Sequence, residues 1–285
     1  MGPTTSSRRV FIVGNPEKRG VKTAMKSIQA VASQCGEVVG TALSFDGKDA
    51  VDRGADFLIV LGGDGTLLAV CRSLGRNQVP IAGVNLGKLG YLAEFTAAEL
   101  EAELPQLLCD GDAVSERMIL EFAVRRDGAA VFSSLAVNDG VVHAGPPYRI
   151  IQLALAVDGM HLTTIGGDGL IVSTPVGSTA HNLSAGGPIM QGGVLGIVLT
   201  PLCAHSLSHR PLVVEHKATV EISVQKANEG TSLMVDGQVG CPLLKGDVIT
   251  VGRFAANMKL VRNPRRPRWQ GLVTKLHWGQ SPGAG

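Results

Sequence analysis

Aromatic residues make up only 4% of this sequence, too few for a platform on which nucleic-acid bases could stack. Charge is nearly balanced as well: a formal net charge of +2 leaves no electrostatic footprint for DNA or RNA. No nucleic-acid partner is expected. The five cysteines, Cys35, Cys71, Cys109, Cys203 and Cys241, are scattered without a C-x-x-C pair. They read as reduced small hydrophobes of a cytoplasmic protein, not as a disulfide framework. No run approaches the ~18 apolar residues of a membrane span. The start "MGPTTSSRRVFIVGNP" has too short an apolar run before a turn to act as a signal peptide. Met1-Gly2 formally fits a myristoylation start, but so short a pattern matches often by chance. A soluble cytoplasmic protein without membrane association is expected.

What the chain does have is hydrophobic residues, 45% over 285 positions, enough for one large domain or two modest ones. It also has 37 glycines, which imply many tight turns and close backbone approaches. The first third alternates. "RRVFIVGN", "GEVVGTALSF", "ADFLIVLGG" and "VPIAGVNLG" read as strands. Between them, residues 18 to 34 place Val21, Met25, Ile28 and Val31 at helical spacing, and "TLLAVCRSLGR" continues the pattern. "TAAELEAELPQLLCDG" predicts a further helix with a break near Pro105. Continuous apolar strands alternating with helices predict a doubly wound parallel sheet.

Near Ser115 the pattern changes to short strands with turns at Asp127-Gly128, at Asp158-Gly159 and around Gly167. That predicts an antiparallel β domain. The expected division is an α/β domain of residues 1–117 plus 262–285, and a β domain of residues 118–261. From Arg262 the chain is basic and proline-containing, read as a solvated surface tail, and "LVTKLHWG" reads as a last helix.

"VLGGDGTLL" poses the chemical question. Gly62, Gly63 and Gly65 allow the backbone a sharp turn close to a ligand, and a helix N-terminus follows, an arrangement suited to phosphate. The spacing is neither a dinucleotide fingerprint nor a Walker A loop. Asp64 among those glycines either caps the helix beginning at Thr66, or holds a metal or takes a proton from an attacking hydroxyl. A second dense stretch, "GGDGLIVSTPVGSTAHNLSAGGPIM", packs Ser173, Thr174, Ser178, Thr179, Asn182 and Ser184 between glycines. Such hydroxyls and exposed amides form hydrogen-bonding floors under sugars, bases and phosphates.

Together with "VNLGKLGYLAEF", "TPLCAHSLSHRPLVV", "VDGQ" and "KLHW", these stretches resemble the NAD kinase family over roughly residues 9 to 279. The resemblance implies an N-terminal doubly wound domain, a C-terminal β domain and a last segment returning to the first. It implies phosphorylation of the adenosine ribose 2′-hydroxyl of NAD to give NADP, in a homodimer or tetramer. The dinucleotide site would lie between domains and near a subunit interface. Asp64 matches the family's proton acceptor, with Gly65 beside it. Asn138 and Asp139 fall where the family has Asn-Glu on the adenosine portion, the carboxylate here being one methylene shorter. Arg149 matches a basic position, Asp168 the aspartate of "GDG", and Gly166 stands where many members have arginine. Thr179, Ala180, His181, Asn182 and Ser184 match the floor, with His181 replacing a common tyrosine. Cys203 sits at a usually small position, and Gln238 matches a ligand-contacting residue, while Asp236-Gly237 reads as a turn.

The donor can be ATP, another nucleoside triphosphate or polyphosphate, with Mg²⁺ bound through its phosphates rather than in a protein cage. Cys203, His205 and His209 allow zinc by spacing but lack a fourth ligand. A diacylglycerol- or sphingosine-type lipid kinase shares "GGDGT", yet the chain has no exposed amphipathic membrane helix. A non-catalytic dinucleotide sensor would keep the pocket without the base.

Overall fold

A computed structural model describes residues 7–87, 90–109, 113–267 and 273. The strands are β1 (Arg9–Gly14), β2 (Glu37–Leu43), β3 (Phe57–Gly62), β4 (Pro80–Asn85) and β5 (Val114–Arg117) in the first part of the chain. The helices among them are α1 (Val21–Cys35), α2 (Lys48–Asp52), α3 (Asp64–Leu74) and α4 (Ala97–Cys109). Then come β6 (Leu120–Arg126), β7 (Ala129–Ala136), β8 (Asp139–His143), β9 (Ile151–Val157), β10 (Met160–Gly167) and β11 (Gly169–Ser173). A short α5 (His181–Ser184) precedes β12 (Gly196–Leu202), β13 (Leu212–Glu215), β14 (Val220–Lys226) and β15 (Ser232–Val235). β16 (Val239–Pro242), β17 (Val248–Arg253) and β18 (Met258–Val261) complete the order. The chain divides into two compact units. Met1–Val70, Val79–Ser115 and Lys259–Gly285 form one, and Cys71–Gln78 with Glu116–Met258 the other.

The first unit holds a sheet of order β2-β1-β3-β4-β18-β5. β1 and β3 are buried almost end to end, as strands covered on both faces must be. α1 buries Val21, Met25, Ile28 and Ala32, one helical stripe, in the same core as Ile12 and Ile59. The chain leaves β1 for β2 on one side and resumes at β3 on the other, so the carboxyl ends of β1 and β3 flank the switch point where such sheets bind ligands. β18 pairs parallel with β4, bringing the end of the chain back to the first sheet.

Two expectations are corrected here. Pro105 does not break its helix: α4 runs unbroken from Ala97 to Cys109. Pro105 sits on the exposed face, opposite buried Leu100, Leu104, Leu107 and Leu108, where water can satisfy the carbonyl that its ring frees. A reciprocal cap also secures the start of α4, Thr96 N–H donating to Glu99 and Glu99 N–H to the Thr96 hydroxyl. Nor, among the described residues, is the segment after Val261 wholly a solvated tail. Arg266 grips Glu99 through both carboxylate oxygens, Arg265 pairs with Glu103, and Asn263 donates to Glu94. The helix expected over residues 272–279 lies, apart from Val273, outside the described residues.

The second unit contains two six-stranded antiparallel sheets, β10-β9-β14-β17-β6-β7 and β13-β12-β11-β8-β15-β16. Asp127-Gly128 and Asp158-Gly159 turn with both residues at positive φ, the two-residue hairpin geometry that matches strand twist. Side chains from both sheets meet in one core, including Phe122, Leu153, Leu170, Ile197, Val220 and Ile249. At one point the sheets nearly touch: a Cβ on Gly140 of β8 would lie 2.2 Å from the Phe122 ring of β6. Gly140→Ala is therefore expected to cost about 1–3 kcal/mol by overpacking. Gly252, with open space around it, should accept alanine within about 0.5 kcal/mol. Urea unfolding of the two variants checks this, and equal costs would show that the sheets can part without penalty.

Candidate active site

In the first unit β3 ends at Gly62 and α3 begins at Asp64. The Gly63 carbonyl accepts the Thr66 and Leu67 amides at 3.0 and 3.3 Å, so Gly63 is the residue that starts the helix. The Asp64 side chain does something else. Its Oδ2 accepts the Tyr91 amide at 2.7 Å, and its Oδ1 accepts the Leu92 and Ala93 amides at 3.0 and 2.9 Å. The carboxylate thus holds the 91–93 segment, which replaces the helix-cap alternative. A carboxylate has about four lone-pair sites, so among the described residues one, on Oδ2, is left for a further donor. The 91–93 amides reach the carboxylate only because residue 90 is glycine: a Cβ there would sit 2.0 Å from Oδ1. Space around Gly63 is open to 4 Å, as backbone approached by a ligand requires.

Sequence reasoning missed Asn15. It follows β1, is 5% exposed, and donates from Nδ2 to the Thr66 hydroxyl at 3.0 Å across the switch point. Its Oδ1 accepts the Glu17 amide at 2.8 Å, which fixes its orientation. A polar residue ending the apolar run "VFIVGN" was the available signal.

In the second unit, the Asn138 carbonyl accepts the Thr174 amide at 2.8 Å and the Ser173 hydroxyl at 3.2 Å. These bonds bring Asn138 and Asp139 against the turn that leads to Thr179, Ala180 and His181. Within that floor the residues divide. Asn182 is wholly buried and spends its amide internally, on the Ser178 and Pro188 carbonyls and the Thr200 hydroxyl. Ser173, Thr174 and Ser178 are also wholly buried and shape the loop rather than face outward. Thr179 and Ala180 are half-buried, and His181 and Ser184 are exposed.

Asp139 is 4% exposed. Burial first, and the charge of Asp236 second, push its carboxyl up to about 7. Asp236 was read as a turn residue, and it is more than that. Its fully buried carboxylate accepts the amides of Val137, Asn138 and Asp139 and pairs with Arg72. Arg72 also donates to Gln238, which is exposed.

Asp168 and Cys203 gather elsewhere. The Asp168 carbonyl accepts the Ala144 amide, and the Cys203 thiol, hydrogen-bonded to the Asp168 carboxylate, is pushed up by it. Arg149 is exposed on the segment between β8 and β9. This end of β11 lies at Gly169, whereas Ser173 at the other end pairs with Asp139. The two groups are thus separated by about 13 Å at the usual strand rise. Gly166 has room for a side chain, the nearest atom to a Cβ being Ile150 at 3.7 Å. His209 contacts the Thr163 hydroxyl at 3.2 Å, and among the described residues no group of three or more His, Cys, Asp or Glu could hold a metal ion. No described helix is long and apolar enough to cross a membrane.

Residues 10–113 match the family model of the ATP-NAD kinase N-terminal domain, and residues 137–263 that of the ATP-NAD kinase C-terminal domain. The NAD kinase of Geotalea daltonii is 45% identical over 233 residues, 82% of this chain and 82% of the relative. That of Rhodopirellula baltica is 37% identical over 271 residues, 95% of this chain and 86% of the relative. Among solved structures, yeast NADH kinase complexed with NADH superposes with a TM-score of 0.85 at 26% identity, covering 99% of this chain and 91% of that one. An NAD kinase from Archaeoglobus fulgidus in complex with ATP gives a TM-score of 0.75 at 26% identity, covering 94% and 98%. The chain belongs to the ATP-NAD kinase family.

Proposed function

We propose that this chain transfers the terminal phosphoryl group of ATP, or of a related donor, to the 2′-hydroxyl of the adenosine ribose of NAD. The observation that carries the chemistry is Asp64, pinned by three amides with one Oδ2 lone pair remaining. A ribose hydroxyl is a weak nucleophile at neutral pH, and a positioned carboxylate that accepts its proton is the minimal help. The ribose oxygen then bonds to the terminal phosphorus, the bond to the bridging oxygen breaks, and the nucleoside diphosphate leaves. Gly63 and Gly65 give the donor phosphates access to the backbone at the switch point, while Gly62, buried, leaves the room that Thr66 fills. Solved relatives named as complexes with NADH and with ATP support these two substrate classes.

For the acceptor, Asn138, Asp139, Thr179, Ala180, His181, Ser184 and Gln238 are the contacts we favour, with Asn182 supporting them from within. We assign Mg²⁺ to the donor, because this ion usually binds through substrate phosphates and one or two carboxylates and there neutralises phosphate charge. Asp168, next to Gly169, with Cys203 on its carboxylate, lies too far from the Ser173 end of β11 to touch the same group as Asn138. Beside them Tyr148, Ile150 and Leu207 are 72%, 43% and 88% exposed. Such exposed large apolar side chains support a homo-oligomer, dimer or tetramer, in which that end serves a neighbouring copy. Five free cysteines fit a reducing, cytoplasmic setting.

A coupled assay for NADP, run with ATP, other nucleoside triphosphates and polyphosphate against NAD and NADH, tests the reading. NADP from NAD and at least one donor is expected, and no product with any pair would overturn it. Asp64→Asn, which also turns a donor toward one of the 91–93 amides, should lower turnover roughly a hundredfold or more, a far larger change than any in NAD affinity read by calorimetry. Near-wild-type turnover would leave Asp64 only its grip on the 91–93 segment.

Asp139 makes stability depend on pH. Its folded value of about 7 exceeds the ordinary 3.8, so the folded chain binds that proton more tightly than the unfolded chain. Stability contributed this way is present below about pH 4 and is lost as pH rises to 7. Asp139→Asn should therefore raise Tm at pH 8 and change it little at pH 4. A Tm difference that is the same at both values would refute the assignment.

A further inference from the structure

The phosphoryl transfer outlined above uses neither Arg72 nor Asp236, yet both are built into the acceptor side. Asp236 opens the Asp-Gly turn between β15 and β16 and carries a side chain with no exposure, while Arg72, near the end of α3, is 16% exposed. Asp236 Oδ1 accepts the Asn138 and Asp139 amides at 2.8 and 3.2 Å, and Oδ2 accepts the Val137 amide at 3.1 Å. In return the Asp236 amide donates to the Asp139 carbonyl at 2.8 Å. One amino group of Arg72 meets Oδ2 at 3.3 Å, and the other donates to Gln238 Oε1.

A turn does not need any of this. Asp127-Gly128 and Asp158-Gly159 adopt positive φ at both residues, as Asp236-Gly237 does, with their aspartates exposed. The buried carboxylate at 236 therefore has another role. Three consecutive amides on one carboxylate leave the 137–139 backbone little freedom, and that backbone sets the direction in which the Asn138 and Asp139 side chains leave it. A buried charge is tolerated only when paired, and Arg72 supplies the pairing together with a planar fork that reaches Gln238 as well.

We propose that Arg72 and Asp236 are positioning residues for the dinucleotide: they set the backbone from which Asn138 and Asp139 project, and they hold the Gln238 side chain. This rests on the NAD-phosphorylating reading. The test uses the full chain and the variants Asp236→Asn, Arg72→Met and Arg72→Lys. Asparagine keeps the left-handed turn but presents a donor where an acceptor is needed.

Titration calorimetry reads NAD affinity directly, and initial rates read KM for NAD and for ATP with kcat. Loss of a hydrogen bond to a charged group predicts NAD binding weaker by about tenfold or more in Asp236→Asn and Arg72→Met. KM for ATP and kcat should stay within about threefold. Arg72→Lys, which keeps the charge and loses the fork, should fall between these and the wild type. A merely structural pair would lower Tm and leave NAD affinity unchanged, and that result would overturn the proposal, as would a loss confined to kcat. Should Asp236→Asn fail to fold, Arg72→Lys decides by the same affinity criterion. A wild-type chain that binds NAD but makes no NADP overturns the phosphorylation reading alone, and the binding comparison still decides the positioning pair. A chain that does not bind NAD overturns both.

Discussion

A buried or half-buried carboxylate gathering three consecutive backbone amides is the constraint that orders both candidate segments of this protein, and among the described residues it occurs twice. Asp64 collects the amides of Tyr91, Leu92 and Ala93 in the first unit, and Asp236 those of Val137, Asn138 and Asp139 in the second. The physics is the same in both. Loop amides removed from water must find acceptors, and an ionised carboxylate removed from water must find donors. Bringing the two together satisfies both needs through charge-assisted bonds, which are stronger than neutral ones. The outcomes differ. At Asp64 the carboxylate itself keeps a free lone pair and stays half-buried. At Asp236 the carboxylate is sealed, and in the segment that it orders Val137 and Asp139 are buried and Asn138 alone is half-buried.

The folds around these carboxylates follow from how each sheet is covered. A parallel sheet buried on both faces exposes only its ends, so polar function concentrates at the carboxyl ends of its strands. Asn15 after β1 and Gly62 to Asp64 after β3 sit there, joined by the bond from Asn15 to Thr66. The antiparallel unit works by hairpin. Its tight Asp-Gly turns set the register, and its glycines appear where the facing sheets come closest, as Gly140 does against Phe122. Gly140 follows Asp139 directly, so the same close approach that packs the core also fixes where the 137–139 segment ends.

Much of this was legible in the sequence because the relevant physics is local. Apolar runs of strand length, helical spacing from Val21 to Val31 and Asp-Gly pairs between alternating segments each declare an element within a window of a few residues. The glycine-flanked Asp64 announced itself because a carboxylate there demands a chemical or capping role. Local rules also misled. Proline breaks isolated helices, yet Pro105 is carried on the exposed face of a helix whose other face is packed. A basic run looks solvated until its partners on α4 are known: Glu99 and Glu103 lie far from Arg266 and Arg265 in sequence and beside them in the structure.

The sequence by itself determined the two kinds of sheet, the turns between their strands, the phosphate-type loop and the family. Only the tertiary structure decided which polar side chains face a ligand and which serve the scaffold. Nothing in "STAHNLS" separates buried Asn182 from exposed His181, because that depends on Thr200 and Pro188 arriving from other segments. Nor does "VDGQ" reveal that Asp236 meets Arg72, 164 residues earlier in the chain. Hydrophobic period and turn preference act along the backbone and can be read there. A buried hydrogen bond is specified by whichever distant segment completes it, and only the folded chain brings the two together.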